Sequence, residues 1–533
     1  MTSTSHEVSV LLGTARADGD WSTVVAVTRE IWPELVADSP RLVRSVLDGS
    51  PADLWEHDPA LLTAYAASFR TDPSPARSAA LRWFAAARRA VDADTSVHVR
   101  ANLLAREAAS LRSLGRWRET GHTLDELDAL AEQADSVRER MTLEARSAVQ
   151  RGIRSYHLGD YDDADRLLHL ATGLSRSGPE HDAAAEGLAV LSLIDYAMGR
   201  FDDASTHAAE AAAIRPRLAP MRLAPATVSA VLMAVERGDL ALAESLLPDL
   251  ISAATGSDWE PLAHYADAAR QLLAGRYVDG LDAVRRCTRA YLPWQSPGGI
   301  LTMAEGLRGT LLLRMGERES AWDVYGTLHP THLHANCPAR FIAHLRLTTG
   351  DARGALHALH DCERLGDAHS LRSLVDVLLV KAAALLELGD DAHADVAFAQ
   401  GTRLAAGNGV RLPFQLVPAP MLTRLAARAL DHGCAPEVAA LLRDVRGAGA
   451  PHEPAVHLSP RERDILSILL EDASVADAAD RLFISVNTVK THLKSAYRKL
   501  GVSTRPAAVR KARELGLHID ITRDSPADHP GAS

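Results

Sequence analysis

Leu158-Gly159-Asp160-Tyr161-Asp162-Asp163-Ala164 is a phrase that this 533-residue chain repeats in altered forms. It returns as Met198-Gly199-Arg200-Phe201-Asp202-Asp203-Ala204 and as Arg237-Gly238-Asp239-Leu240-Ala241-Leu242-Ala243. Its constant parts are a glycine and a small residue five positions later. These are Ala164, Ala204 and Ala243, then Gly280 after Gly275, Ala321 after Gly316, Ala355 after Gly350 and Ala394 after Gly389. Steps of 40, 39, 37, 41, 34 and 39 residues separate the glycines from Gly159 to Gly389. A recurrence of this length predicts a solenoid of helical hairpins, each burying its free face on its neighbours. The glycine takes the left-handed conformation that stops the first helix, and the small residue lets the second helix approach closely. Tyr161, Phe201 and Tyr277, two residues past the turn, are placed to cover the joint.

Working outward, Gly19-Asp20-Trp21 and Gly115-Arg116-Trp117 look like the same turn, but no clean repeat connects them. We therefore read 1–100 as a helical region with unclear repeats and 101–445 as the repeat region. Arg446-Gly447-Ala448-Gly449-Ala450-Pro451 and the residues to 457 interrupt any helix and read as a linker. A compact segment at 458–517 follows, and a tail at 518–533 is expected to be disordered. The phrase resembles tetratricopeptide repeats, although most steps exceed that family's 34 residues. The resemblance implies an inner superhelical face that holds a ligand or a partner protein.

Composition narrows the function classes. The chain is 47% hydrophobic and 24% charged, ordinary for a globular protein, and its formal charge is −11. Any contact with a polyanion must therefore be local. The charge is segregated: residues 457–517 carry net +4, the 456 residues before them −13, and the tail from 518 carries −2. Four scattered cysteines (Cys287, Cys337, Cys362, Cys434) form no C-x-x-C pair and suit a reducing cytoplasm. Neither a signal peptide nor an apolar run long enough for a membrane helix is present, so a soluble cytoplasmic protein without membrane contact is expected.

The 458–517 segment carries the chemistry. Ser459-Pro460-Arg461-Glu462 combines a cap, a proline at the first helical position and a glutamate three residues after the cap. Ile465, Leu466 and Leu469 then share one face. Ser474 with Asp477 opens a short second helix containing Ala478, Ala479 and Leu482. Ser485 opens a third, in which Val489, Leu493, Ala496, Tyr497 and Leu500 make one apolar stripe that Gly501 ends. Lys490, Thr491, Lys494 and Arg498 stand opposite, with Lys499 at the edge. No acid occurs from Lys490 to Arg513. A short helix, a tight turn and a helix presenting such a face fit the major groove of double-stranded DNA. Lys490, Thr491 and Lys494, with His492 nearby, are expected at base edges. Ser485, Asn487 and Thr488 lie at the helix start, where free amides can meet phosphate. Arg498, Lys499 and Arg505 are expected on the phosphate backbone.

At these residues the segment closely resembles the LuxR-type helix-turn-helix. The resemblance rests on Leu458 to Glu462, Arg481 to Ser485, Thr488 to Leu493 and Lys499 to Val502. It implies an all-α protein, a TPR-like solenoid followed by a four-helix DNA-binding domain that pairs as a homodimer through a last helix near Arg505 to Leu515. The chain departs from the family pattern at Asp472 and at Val475-Ala476-Asp477-Ala478, where the missing cation at 476 should weaken phosphate binding. The layout is also similar to the large MalT-like regulators, but no G-x-x-x-x-G-K-[ST] occurs, so no nucleotide cofactor is expected.

Other clusters receive plainer readings. His329, His332, His334 and Cys337, and likewise His357, His360 and Cys362, have ligand-like spacing. With 23 histidines in the chain we read them as a loop and a helix face, and expect no metal. Asp160, Asp162, Asp163 and Asp165 lack the glycine of a calcium loop and suit a helix N-terminus. The favoured function is a DNA-binding transcriptional regulator whose repeats receive a signal or partner. The alternative is a helical-repeat scaffold or anti-regulator whose helix-turn-helix no longer binds DNA by itself. No nucleophile, base and orienter come together, so an enzyme is not expected.

Overall fold

The structure, a computed structural model, describes residues 12 and 14–508 except 71, 73, 177–180, 215–219, 292–298, 329–337, 364–369, 449–459, 471–473, 483, 501 and 503. Among the described residues every regular element is helical. Consecutive helices pair as antiparallel hairpins: Val137–Leu158 with Tyr161–Arg176, His181–Met198 with Phe201–Ile214, and Pro220–Glu236 with Leu240–Ala254. Glu260–Leu273 with Tyr277–Tyr291, Ile300–Arg314 with Arg318–Gly326, Ala339–Thr348 with Ala352–Glu363, and Leu371–Glu387 with Asp391–Asn408 continue the series.

The repeated phrase works as its chemistry requires. The seven turn glycines from Gly159 to Gly389 have φ between 73° and 85°. At Gly159 the next amide, Asp160 N, returns to the Ser155 carbonyl at 2.9 Å and satisfies an orphan acceptor of the helix end. At Gly199 a second constraint is added, because a Cβ there would stand 2.7 Å from the Arg372 amide nitrogen. Ala164, Ala204, Ala243, Ala321, Ala355 and Ala394 are all 0% exposed. Tyr161, Phe201 and Tyr277 are buried beside them. The repeats beginning at Gly316, Gly350 and Gly389 replace the aromatic with Arg318, Ala352 and Asp391 but keep the alanine, so close approach is the stricter requirement.

The same geometry recurs ahead of Gly159. Gly19 and Gly115 also have positive φ, and the fifth residues after them, Val24 and Thr120, are fully buried. Pro59–Ala67 packs on Ser74–Ala90, and Val97–Ser113 on Trp117–Glu132. At the other end, helix Pro436–Ala448 runs into the segment read as a linker, whose residues from 449 lie outside the described ones. The tail at 518–533 also lies outside them.

Stretches far apart in sequence touch where successive turns of the superhelix meet. Arg77 donates to the Gly256 carbonyl (2.9 Å), Ser370 to that of Ala197 (2.9 Å), and the Arg411 amide to that of Glu236 (2.7 Å). Fully buried Arg112 pairs with Asp258 at 2.5 Å and with Gln150 at 2.6 Å, and Arg70 reaches Asp258 at 3.6 Å. Burial alone would raise the Asp258 carboxyl, but Arg112 and Arg70 outweigh it and hold it well below the usual carboxylate range. Buried Arg372 similarly pairs with Glu236 at 3.2 Å and lies over the Tyr196 ring.

His157 sits in the first of these junctions, against Trp259 and 4.0 Å from Asp258. Burial lowers its pKa to about 4. Unfolded, the imidazole takes up a proton near pH 6.5, so its contribution to stability is fully present above that pH and shrinks as the pH falls toward 4. The shift corresponds to about 3 kcal/mol. Urea unfolding at pH 7.5 and pH 5 should show wild type losing more stability than His157→Phe; equal losses would remove His157 as the titrating group.

Candidate nucleic-acid interface

Three described helices build the C-terminal module: Pro460–Leu470, Val475–Arg481 and Val486–Leu500, with a further helical stretch at 505–508. Its core is separate from that of the solenoid. Ile465, Leu466 and Leu469 meet Ala478, Ala479, Val489, Leu493, Ala496 and Leu500, all buried, and Tyr497 packs at the edge. The second helix starts on a reciprocal cap: Asp477 N donates to Ser474 Oγ (3.1 Å) and Ser474 N to the Asp477 carboxylate (2.7 Å). Those bonds from Ser474 hold the Asp477 carboxyl below its ordinary pKa. The third helix starts where Thr488 N donates to Ser485 Oγ at 3.1 Å. Ser459, Asp472 and Gly501 lie outside the described residues.

The third helix turns one face to the core and the other outward. Ser485, Asn487, Lys490, Thr491, Lys494 and Arg498 are exposed, while Thr488 and His492 are half-buried. Thr491 donates its hydroxyl to the Asn487 carbonyl at 3.0 Å, leaving its methyl and oxygen lone pairs for an outside partner. Ala476 is exposed on the second helix, so a cation there would have faced solvent.

Lys499 and Arg505 behave differently from the rest of the basic set. Lys499 Nζ donates to Glu462 at 3.0 Å, and Glu462 is buried. Arg505 donates to the Leu469 carbonyl at 2.8 Å, and Arg461 to that of Leu482 at 2.6 Å. These bonds tie the third helix and the start of the fourth to the first, and the first to the end of the second. The sequence places Lys499 at the edge of the basic face and both residues at phosphate, because charge alone does not reveal an internal partner. The available signal was Glu462, an acid in the first turn of an otherwise apolar-faced helix.

Among the described residues, ion pairs from Glu317 join the module to the repeats. Glu317, the cap residue after the Gly316 turn, lies 3.7 Å from Arg498 and 3.5 Å from Lys499. Arg498 remains largely exposed, with its side chain 70% accessible.

The model of the luxR family of bacterial regulatory proteins matches residues 456–512, the segment holding these three helices. Over 59 residues the chain is 39% identical to the spore germination protein GerE of Bacillus subtilis, covering 80% of that protein and 11% of this chain. The chain belongs to the luxR family. It is also 44% identical over 73 residues to the "Probable transcriptional regulatory protein SgaR" of Hyphomicrobium methylovorum, 14% of this chain. With the DNA-binding transcriptional activator DevR/DosR of Mycobacterium tuberculosis the identity is 36% over 77 residues, again 14% of this chain. The chain spans only 32% and 36% of those two relatives. Among solved structures, a Rap protein complexed with Competence and Sporulation Factor aligns at 12% identity and a TM-score of 0.45, over 66% of this chain and 98% of that one.

In this luxR-family chain the described parts of the other sequence clusters fall in the repeat hairpins. His329 to Cys337 lie outside the described residues; His357 and His360 are exposed while Cys362 is buried. Among the described residues no group of three or more potential metal ligands gathers, and no helix is long and apolar enough to cross a membrane. Asp160 and Asp163 serve a helix start, Asp163 N donating to Asp160 at 3.1 Å and Ser155 to Asp163 at 2.7 Å.

The internal and external cations should separate in stability measurements. Lys499→Ala leaves buried Glu462 without its ammonium partner and is expected to cost about 1–3 kcal/mol. Lys490→Ala, at an exposed site, should stay within about 0.5 kcal/mol of wild type. Thermal unfolding of the full chain, followed through the C-terminal transition, compares them.

Proposed function

We propose that the chain is a sequence-specific DNA-binding transcriptional regulator, its third C-terminal helix reading the major groove and its helical repeats governing access to that helix. The observation that carries this reading is the exposed Lys490, Thr491 and Lys494 face on a capped helix with its own core, in a molecule whose other parts are acidic. Lys490 and Lys494 donate to guanine O6 and N7, and the Thr491 methyl meets thymine. Ser485, Asn487 and Thr488 hold a phosphate at the helix start, and Arg498 takes the adjacent backbone. Lys499 and Arg505, expected from sequence at phosphate, also brace the third and fourth helices through Glu462 and the Leu469 carbonyl. The reading includes a homodimer on two half-sites, in keeping with the family, and a cytoplasmic location.

The link through Glu317 supports a role for the repeats. Its carboxylate competes with DNA phosphate for Arg498, so a shift of the Gly316 turn changes the charge available to DNA.

The test begins with fragments selected from genomic DNA by the full chain. Lys490→Ala combined with Lys494→Ala should abolish the footprint on the best fragment, and each single change should relax selection at the guanine it reads. A single change that instead weakens binding uniformly and lowers the slope of log affinity against log salt by about 0.9 would move that lysine from base edge to phosphate. Glu317→Gln should tighten binding roughly two- to tenfold at low salt. Failure of wild type to select any fragment while forming a stable protein complex would overturn the proposal in favour of a protein-binding scaffold.

A further inference from the structure

A recess of about 930 Å³ opens inside the superhelix where the N-terminal hairpins face helices Pro220–Glu236 and Leu240–Ala254. Its volume is that of a metabolite or drug site. Four arginines line it: Arg41, Arg70, Arg106 and Arg222. Three carboxylates pair with them, two with Arg222 and one that Arg70 shares with Arg112. Asp249 is the acid in the lining. Asp182 and Glu186 lie 3.2 and 4.0 Å from Arg222, and Asp258, 3.6 Å from Arg70, belongs chiefly to Arg112.

Arg106 is the centre of the imbalance. Its guanidinium lies 5.7 Å from the centroid of the Trp32 ring, and among the described residues no carboxylate stands within ion-pair distance of it. Burial and the repulsion of Arg222 and Arg70 lower its pKa to about 9. The Nε of Arg70 is also buried without a hydrogen-bond partner. A protein that gathers guanidinium groups in an enclosed space pays in desolvation and repulsion, and an oxyanion that accepts their forked hydrogen bonds offsets both.

We propose that this recess binds a small organic anion whose carboxylate or phosphate group is held by Arg106, Arg70 and Arg222, with its apolar part against Val36, Leu42 and Met221. Carboxylate and phosphate both present anionic oxygens that accept the paired hydrogen bonds of a guanidinium fork, and that shared chemistry defines the site. The inference gives a chemical class to the signal in the reading above. Its test measures binding without DNA, so its failure and the failure of DNA recognition are distinguishable.

The full-length protein is titrated with pyrophosphate and with citrate by calorimetry at constant ionic strength, beside sodium chloride controls. Saturable binding of either anion is expected, and Arg106→Gln should weaken it roughly tenfold or more. Without anion, Arg106→Gln should melt at or above the wild-type temperature, because it removes a charge repelled by its neighbours. Should that variant fail to fold, Arg106→Lys keeps the charge, loses the planar fork and should still weaken binding. Response to pyrophosphate alone identifies a phosphate ester, response to citrate alone a polycarboxylate, and response to both a site that reads charge. Absence of saturable binding of both anions up to about 10 mM, or binding unchanged in the Arg106 variant, overturns the assignment.

Discussion

The closeness with which two antiparallel helices can approach governs this molecule. A buried small residue five positions past each turn glycine from Gly159 to Gly389 permits the contact, alanine in six and Gly280 in the seventh, and the left-handed glycine stops the preceding helix where the chain must reverse. Once that distance is set, the next pair has one way to lay its apolar face, and the superhelix grows by repetition. Aromatic cover at Tyr161, Phe201 and Tyr277 can be lost, as it is after Gly316, while the small residue is kept.

The C-terminal module uses a different economy. Its polar residues divide into an internal set, Arg461, Glu462, Lys499 and Arg505, and an outward set around Lys490, Thr491 and Lys494. The internal set bonds to helix ends and to one buried carboxylate, so the angle between helices is fixed by directional contacts as well as by packing. The outward set is thereby presented on a helix held in place from behind, the condition under which its side chains can distinguish base edges.

Much of this was legible in the sequence because the signals were local. Gly159 to Ala164 contains its own turn, cap and packing position within seven residues, and Ser474 with Asp477 is a complete reciprocal cap. The hairpins that escaped recognition place Val24 and Thr120 where alanine was sought, although both are fully buried and answer the same need. Other features join residues far apart in the chain. Nothing near Arg112 announces Asp258, nothing near Lys499 announces Glu462, and the arginines around the recess come from three separate helices and a turn. A basic residue reads as exposed until its partner is known, and the internal bonds of Lys499 and Arg505 are of that kind.

The bonds that cross between superhelical turns, Arg77 to Gly256, Ser370 to Ala197 and Arg411 to Glu236, carry one more consequence. A solenoid linked only between nearest neighbours can fray from its ends and stretch like a spring. Here each coil is stapled to the next, so extension must break contacts between hairpins far apart in order, and melting should spread through the repeat array as one cooperative event.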